Sequence, residues 1–342
     1  MKSIVYSHTG DPSVLELVDR HVREPGAGEV RVRVIVSGVN PTDWKSRQGS
    51  GSGEAPAFGD VTPNQDGAGI VDAVGSGVEE LAVGDHVWLF LAQHQRPTGT
   101  AQEYVNVPAS RVVPLVAGAG FDIGASLGVP AMTAHRALTV SEDGPDRLFP
   151  GALAGKVVLV AGGAGAVGHA AIQLAHWAGA TVISTISSPA KAALATAAGA
   201  DHVVNYRDQD AAATIGGLAP EGVDLVVEVA IGANVQLNLD VVKPRASVAI
   251  YANDGGDEFT LEVIDNMVKN VRYQFVLLYT VGDVALQAAA QDITAALRDG
   301  ALPVGDEAGL PLHRFPLAET AAAHQAVQDG ATGKVLIDVG QV

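Results

Sequence analysis

The stretch VVLVAGGAGAVGHAAIQLAHWAGATVISTISSPA, residues 157–190, runs for thirty-four positions without one Asp, Glu, Lys or Arg. It opens on an aliphatic run and breaks into the glycines of GGAGAVG, 162–168. It then resumes with apolar residues at helical spacing through Val167, Ala171, Leu174, Ala175 and Ala178, and a second apolar run follows at 181–186. The pattern predicts a strand, a tight turn, a helix and a parallel strand buried on both faces. Gly163, Gly165 and Gly168 carry the G-x-G-x-x-G spacing of a dinucleotide site. In such a site the glycines let the backbone approach a pyrophosphate, which rests on the free N–H groups around Gly165, Ala166, Val167 and Gly168. The glycines, with Gln173, His176 and Trp177, suit a buried α/β core better than a membrane span.

An NAD site places Asp or Glu about twenty residues past the glycines to bind the ribose 2′-hydroxyl. Here the chain reads Ser187-Ser-Pro-Ala-Lys191. Two hydroxyls and a lysine, with no carboxylate to repel a phosphate, favour NADPH. A Ser-Pro helix start beside a solvated lysine is the plainer reading of the same residues.

Length and composition bound the rest. The chain has 342 residues, enough for about two domains with separate cores. Residues 1–17 carry polar and charged side chains throughout, unlike a signal peptide. Zero cysteines exclude disulfides and thiolate chemistry. A net charge of −17 argues against nucleic acid or an anionic membrane as partner. A soluble, cytoplasmic protein is expected.

Two textures divide the chain. Residues 1–125 are rich in short strands and turns: VRVRVIV at 30–36 alternates as a half-buried antiparallel strand does, and further runs lie at 69–74, 86–91 and 102–107. These predict a small β-barrel. Residues 126–270 alternate strand and helix, with strands expected at 157–161, 181–186, 202–205, 223–229 and 247–251, as in a doubly wound Rossmann sheet. Residues 271–342 end in an apolar run at 334–339 and are expected to return largely to the first domain. Loops are expected at 49–53 and 93–99.

Several motifs in this order resemble the medium-chain dehydrogenase/reductase superfamily, and within it the quinone oxidoreductases of the zeta-crystallin type. They are Gly38-Val-Asn-Pro-Thr-Asp-Trp-Lys-Ser-Arg47, Asp66-Gly-Ala-Gly-Ile-Val71 with Val83-Gly-Asp-His-Val87, Gly128-Val-Pro-Ala-Met-Thr-Ala134, Gly199-Ala-Asp-His-Val-Val-Asn-Tyr206 and Gly330-Ala-Thr-Gly-Lys334. The resemblance covers essentially the whole chain. It implies a GroES-like catalytic domain, a Rossmann NADPH-binding domain and hydride transfer from NADPH. It also implies that Asn40 borders the substrate and nicotinamide, that Thr133 lies near the carboxamide and that Tyr206 packs beside the adenosine phosphate. Tyr251 and Asn253 then cover the nicotinamide side, and Lys334 is a weaker cofactor candidate. Zinc members of the superfamily use Cys and a His-Glu pair, where this chain has no Cys and reads Gln65-Asp66. No metal is expected.

Without a metal to polarise a carbonyl, a quinone or a conjugated enone is the easier hydride acceptor, because charge spreads onto oxygen as hydride arrives. Asn40 can position such an acceptor or can simply form an Asn-Pro turn. Asp43 and Arg47 can line the same loop or pair internally. Relatives often carry tyrosine where this chain has Lys45, which reads either as a proton donor with its basicity lowered by burial or as a solvated or phosphate-facing charge. The catalytic candidates are therefore Asn40, Asp43 and Lys45. An enoyl or alkenal reductase remains open, as does a crystallin-like or RNA-binding protein that retains NADPH. A homodimer is expected from the resemblance, with an edge strand such as 246–251 pairing across a two-fold.

Overall fold

The computed structural model describes residues 1–49 and 55–341. Most of the loop expected at 49–53 lies outside the described residues. By internal contacts the chain forms two units, residues 1–129 with 311–342, and residues 130–310.

The first unit begins with β1 (Lys2–Val5), β2 (Glu16–Asp19), β3 (Glu29–Val39) and α1 (Pro41–Gln48). It continues through β4 (Asp66–Val74), β5 (His86–Leu89), β6 (Tyr104–Pro108) and β7 (Val112–Pro114). Helix α2 (Phe121–Leu138) contains the boundary between the units. The alternation of VRVRVIV sorts β3 as expected: Val30, Val32 and Val34 are fully buried against Val71, Val87, Leu89, Val105 and Val107. Each such valine contributes about 1.5–3 kcal/mol relative to exposure, while Arg31 faces out to Asp72 and Glu24. Glycine is required where β4 passes β3, since a Cβ on Gly69 would lie 2.1 Å from the Arg33 carbonyl oxygen.

The second unit continues with β8 (Val157–Ala161), α3 (Ala166–Trp177), β9 (Thr181–Ile186), α4 (Pro189–Ala197), β10 (His202–Asn205) and α5 (Ala211–Leu218). Then come β11 (Val223–Glu228), α6 (Ile231–Val241), β12 (Val242–Ile250), α7 (Val263–Lys269), β13 (Arg272–Phe275) and α8 (Asp283–Arg298). The strands form a parallel sheet in the order β10-β9-β8-β11-β12-β13. The order reverses between β8 and β11, the switch point at which doubly wound sheets bind ligands beyond their carboxyl ends.

The chain returns to the first unit with β14 (Leu312–Pro316), α9 (Thr320–Gln328) and β15 (Lys334–Asp338). That sheet runs β14-β15-β3-β4-β5-β7, with β6 also on β3. Strand β15 pairs with the C-terminal half of β3 and β6 with its N-terminal half.

Two expectations are corrected here. Residues 271–310 stay with the second unit, because β13 pairs with β12 and extends the Rossmann sheet; the return starts only at Pro311. Residues 246–251 are consequently not an edge: β12 lies between β11 and β13, and β13 is the edge strand.

Candidate active site

In the first unit the site is built around the N-terminus of α1. Asn40 is its N-cap and Pro41 occupies N1, where a missing N–H costs nothing. Asp43 completes a capping box, its Oδ2 accepting the Asn40 backbone N–H at 2.7 Å. Its Oδ1 accepts the Gln65 N–H at 3.2 Å. The Asn40 side-chain Nδ2 donates to Asp66 Oδ2 at 2.7 Å, and Lys334 Nζ donates to Asn40 Oδ1 at 2.6 Å. Asp66 also accepts the Val129 N–H on both carboxylate oxygens at 2.9 Å.

All four side chains are buried; Asp66 is 0% and Lys334 1% exposed. Burial first, and then the charge of Asp66, push the Asp43 carboxyl up to about 7. Burial likewise raises Asp66 and lowers Lys334.

The expected Asp43–Arg47 pair does not form among the described residues. Arg47 is fully buried and donates to the Gly10 carbonyl and to Gln328 Oε1. Lys45 is exposed, with its ammonium 5.8 Å from the Trp44 ring centroid, so the burial on which its proton-donor reading depends is absent. Lys334, a cofactor candidate in the sequence, instead turns its ammonium inward onto Asn40 and Asp66. Two residues were not singled out as site candidates. Asp66 bears the charge that Asn40 and Lys334 share, and Tyr6 is buried with its phenol pushed up to about 12 by desolvation and by Asp43. The signal for Asp66 was its place within a family motif; nothing in the local pattern marks Tyr6.

In the second unit β8 ends in a turn with Gly162 at φ 70°, a left-handed conformation that favours glycine. A Cβ on Gly163 would lie 2.1 Å from Ser184 Oγ, and one on Gly168 would lie 2.4 Å from the Gly162 carbonyl oxygen. Both glycines are demanded by strand–helix packing. At Gly165, the N-cap of α3, the nearest neighbour is Gly162 oxygen at 3.5 Å, so the space over the helix N-terminus is open. His169 N–H makes a helical bond to the Gly165 carbonyl, which leaves the amides of Ala166, Val167 and Gly168 as the terminal donors. This cradle fits a pyrophosphate.

Ser187 follows the carboxyl end of β9 and Tyr206 that of β10, and the Tyr206 N–H bonds the Ile186 carbonyl at 3.2 Å. Ser188 caps α4 by accepting the Lys191 N–H at 3.3 Å, placing Lys191 in the first turn. Ser187 and Tyr206 thus follow neighbouring strands with Lys191 in the first turn of α4, and Tyr206 is 51% exposed. Tyr251 and Asn253 follow β12; the Tyr251 N–H bonds the Glu228 carbonyl, and Asn253 bonds Asp257. Thr133 is buried on α2. Glu228, not singled out from sequence, is buried at the end of β11 and accepts from Ala230 N–H, Asn234 and Asn238.

Among the described residues no group of three His, Cys, Asp or Glu side chains converges as a metal-ligand set. His169 is buried and neutral, pushed down to about 4 by burial, with Nε2 bonded to the Ala308 carbonyl.

A quinone oxidoreductase of Lama guanicoe is 30% identical over 341 residues, 98% of this chain and 97% of that protein. The chain belongs to the quinone oxidoreductase family. Residues 26–117 match the family model described as an alcohol dehydrogenase GroES-like domain, and residues 166–294 match one described as a zinc-binding dehydrogenase. The solved structure of a quinone oxidoreductase from Pseudomonas syringae has a TM-score of 0.81 at 28% identity, covering 98% of this chain and 99% of that one. A mycobacterial protein solved in complex with NADPH has a TM-score of 0.80, also at 28% identity and with the same coverage. The GroES-like plus Rossmann architecture of the quinone oxidoreductases is therefore the architecture of this chain.

Proposed function

We propose that this member of the quinone oxidoreductase family reduces quinones with NADPH without a metal ion. Its relationship to quinone oxidoreductases over nearly its full length supports the reaction. One observation carries the choice of cofactor. The carboxyl ends of β9 and β10 present Ser187, Lys191 and Tyr206, where an NAD site would hold an acidic residue. Bound NADPH supplies the hydride. Ser187 and Lys191 hold the 2′-phosphate, Tyr206 packs beside it, and the amides at the start of α3 hold the pyrophosphate. Thr133, Tyr251 and Asn253 border the nicotinamide. Asn40 donates an N–H to the oxygen that gains charge, and Asp43, its carboxyl pushed up to about 7, is partly protonated in the same cluster at neutral pH.

No helix among the described residues is long and apolar enough to cross a membrane, and the chain has no cysteine to oxidise. Both fit a cytoplasmic reductase. A homodimer is supported by the edge strand β13 and the exposed apolar residues beside it: Val263, Ile264, Met267, Val268, Phe275 and Leu277.

The test follows NADPH absorbance with purified protein and 1,4-benzoquinone, an ortho-quinone, an enone and a simple ketone, each repeated with NADH and with EDTA. Quinone turnover that prefers NADPH and ignores EDTA is expected. Faster turnover of the enone replaces quinone by an α,β-unsaturated carbonyl as the substrate. Tight NADPH binding without oxidation by any acceptor overturns the enzymatic reading.

A further inference from the structure

Two residues far apart in the chain, Asp66 and Lys334, meet in the first unit on the side-chain amide of Asn40, while Val129 bonds the Asp66 carboxylate and Asp43 the Asn40 backbone N–H. An Asn side chain can sit in either of two flips, but its neighbours here allow only one. An ammonium has donors alone and a carboxylate acceptors alone. Lys334 on Oδ1 and Asp66 on Nδ2 therefore fix the orientation, and the reverse flip would set Nδ2 against the ammonium and Oδ1 against the carboxylate. Lys334 Nζ also stands 3.7 Å from Asp66 Oδ2, so the two charges face each other as well as the amide.

The arrangement is built into the backbone. A Cβ on Gly128 would lie 2.0 Å from Asp66 Oδ1; one on Gly38 would meet the Ala125 carbonyl oxygen first, at 2.2 Å, and would also lie 3.1 Å from Lys334 Cε. Stability is a weak reason for such a pair, since a buried ion pair often contributes no more than an apolar replacement of the same volume. Orientation of the amide is the stronger reason.

We propose that Lys334 is a positioning residue: with Asp66 it locks the Asn40 amide so that its second Nδ2–H, and not its carbonyl oxygen, is offered to the substrate oxygen. The proposal rests on the reading above that Asn40 borders the reacting groups. As hydride arrives, charge develops on that oxygen, and a preoriented donor stabilises it without reorganising. An unlocked amide has to choose its flip in each turnover.

The experiment is a double-mutant cycle on the full chain: Asn40→Ala, Lys334→Met and the double variant, with kcat measured on NADPH and 1,4-benzoquinone at saturation and NADPH affinity measured by fluorescence titration. Each single variant is expected to lose roughly tenfold or more in kcat. NADPH affinity should stay within about twofold, and the double variant should be no slower than Asn40→Ala. A purely structural lysine would change the melting temperature but not kcat at saturation. A wild-type kcat in Asn40→Ala overturns the reading of Asn40 and the proposal with it. A wild-type kcat in Lys334→Met beside an impaired Asn40→Ala overturns the proposal alone, as do losses that multiply in the double variant. If Lys334→Met fails to fold by circular dichroism, Asp66→Asn takes its place in the same cycle, with the same non-additivity expected and the same outcomes decisive.

Discussion

Asp43 accepts the backbone N–H of Asn40 at 2.7 Å from a position only 4% exposed, so one carboxyl both caps α1 and stands behind the amide assigned to the substrate. Burial first, and then the charge of Asp66, push its carboxyl up to about 7 against the opposing pull of the Lys334 ammonium.

A pH dependence of stability follows. The folded-state value lies above the ordinary aspartate range, so the native state binds the extra proton. The Asp43 contribution is therefore most favourable below about pH 4 and is lost as pH rises towards 7. Melting temperatures between pH 5 and 8 should fall in the wild type relative to Asp43→Asn. Parallel curves would show that Asp43 titrates normally.

Asp292 has the opposite sign. It lies on α8 and accepts from His135 Nε2 at 2.8 Å, from Arg147 Nε and from the Leu148 N–H at 2.7 Å, joining α2, the 147–148 segment and α8 within the second unit. Despite burial these donors hold it down to about 2, so its contribution is full above about pH 4 and disappears as pH falls through 2. Asp292→Ala leaves the buried donors unpaired and should cost about 3 kcal/mol in urea unfolding at pH 7. A loss below about 1 kcal/mol would reduce the cluster to a surface-like pair.

Lys191 should separate the two nicotinamide cofactors. Lys191→Ala is expected to weaken NADPH binding about tenfold or more while leaving NADH nearly unchanged, since only NADPH has the phosphate that the ammonium is proposed to contact. Isothermal titration with both cofactors decides it, and equal losses would remove Lys191 from the phosphate pocket.

The exposed apolar group beside β13 should carry self-association. Ile264, 68% exposed, and Val268, 73% exposed, lie one helical turn apart on α7. An Ile264→Asp, Val268→Asp double variant should elute as a monomer in size-exclusion chromatography with light scattering, whereas the wild type should give a dimer. A wild-type monomer would leave this face without a second copy.

Three Rossmann strands, β8, β9 and β10, were legible to the residue, whereas β12 begins at Val242, five residues before the expected start at 247. The valines of β3 were equally plain, because alternation reports directly which face is covered. Strand β13 was missed because RYQF has no apolar run; it is a strand by virtue of its pairing with β12, not of its own composition. The residues around Asn40 were legible one at a time, as pieces of motifs. Their roles were not, and Lys334 read only as a weaker cofactor candidate.

Local pattern by itself thus determined the parallel sheet, the glycine turn that fits a pyrophosphate and the carboxylate-free end of β9, since each is written in contiguous residues whose spacing reports burial or backbone freedom. Only the tertiary structure decided that Lys334 is buried and that its ammonium meets an amide 294 positions away. A charge can be buried only where a distant segment supplies its partner, and no local period records which segment that will be.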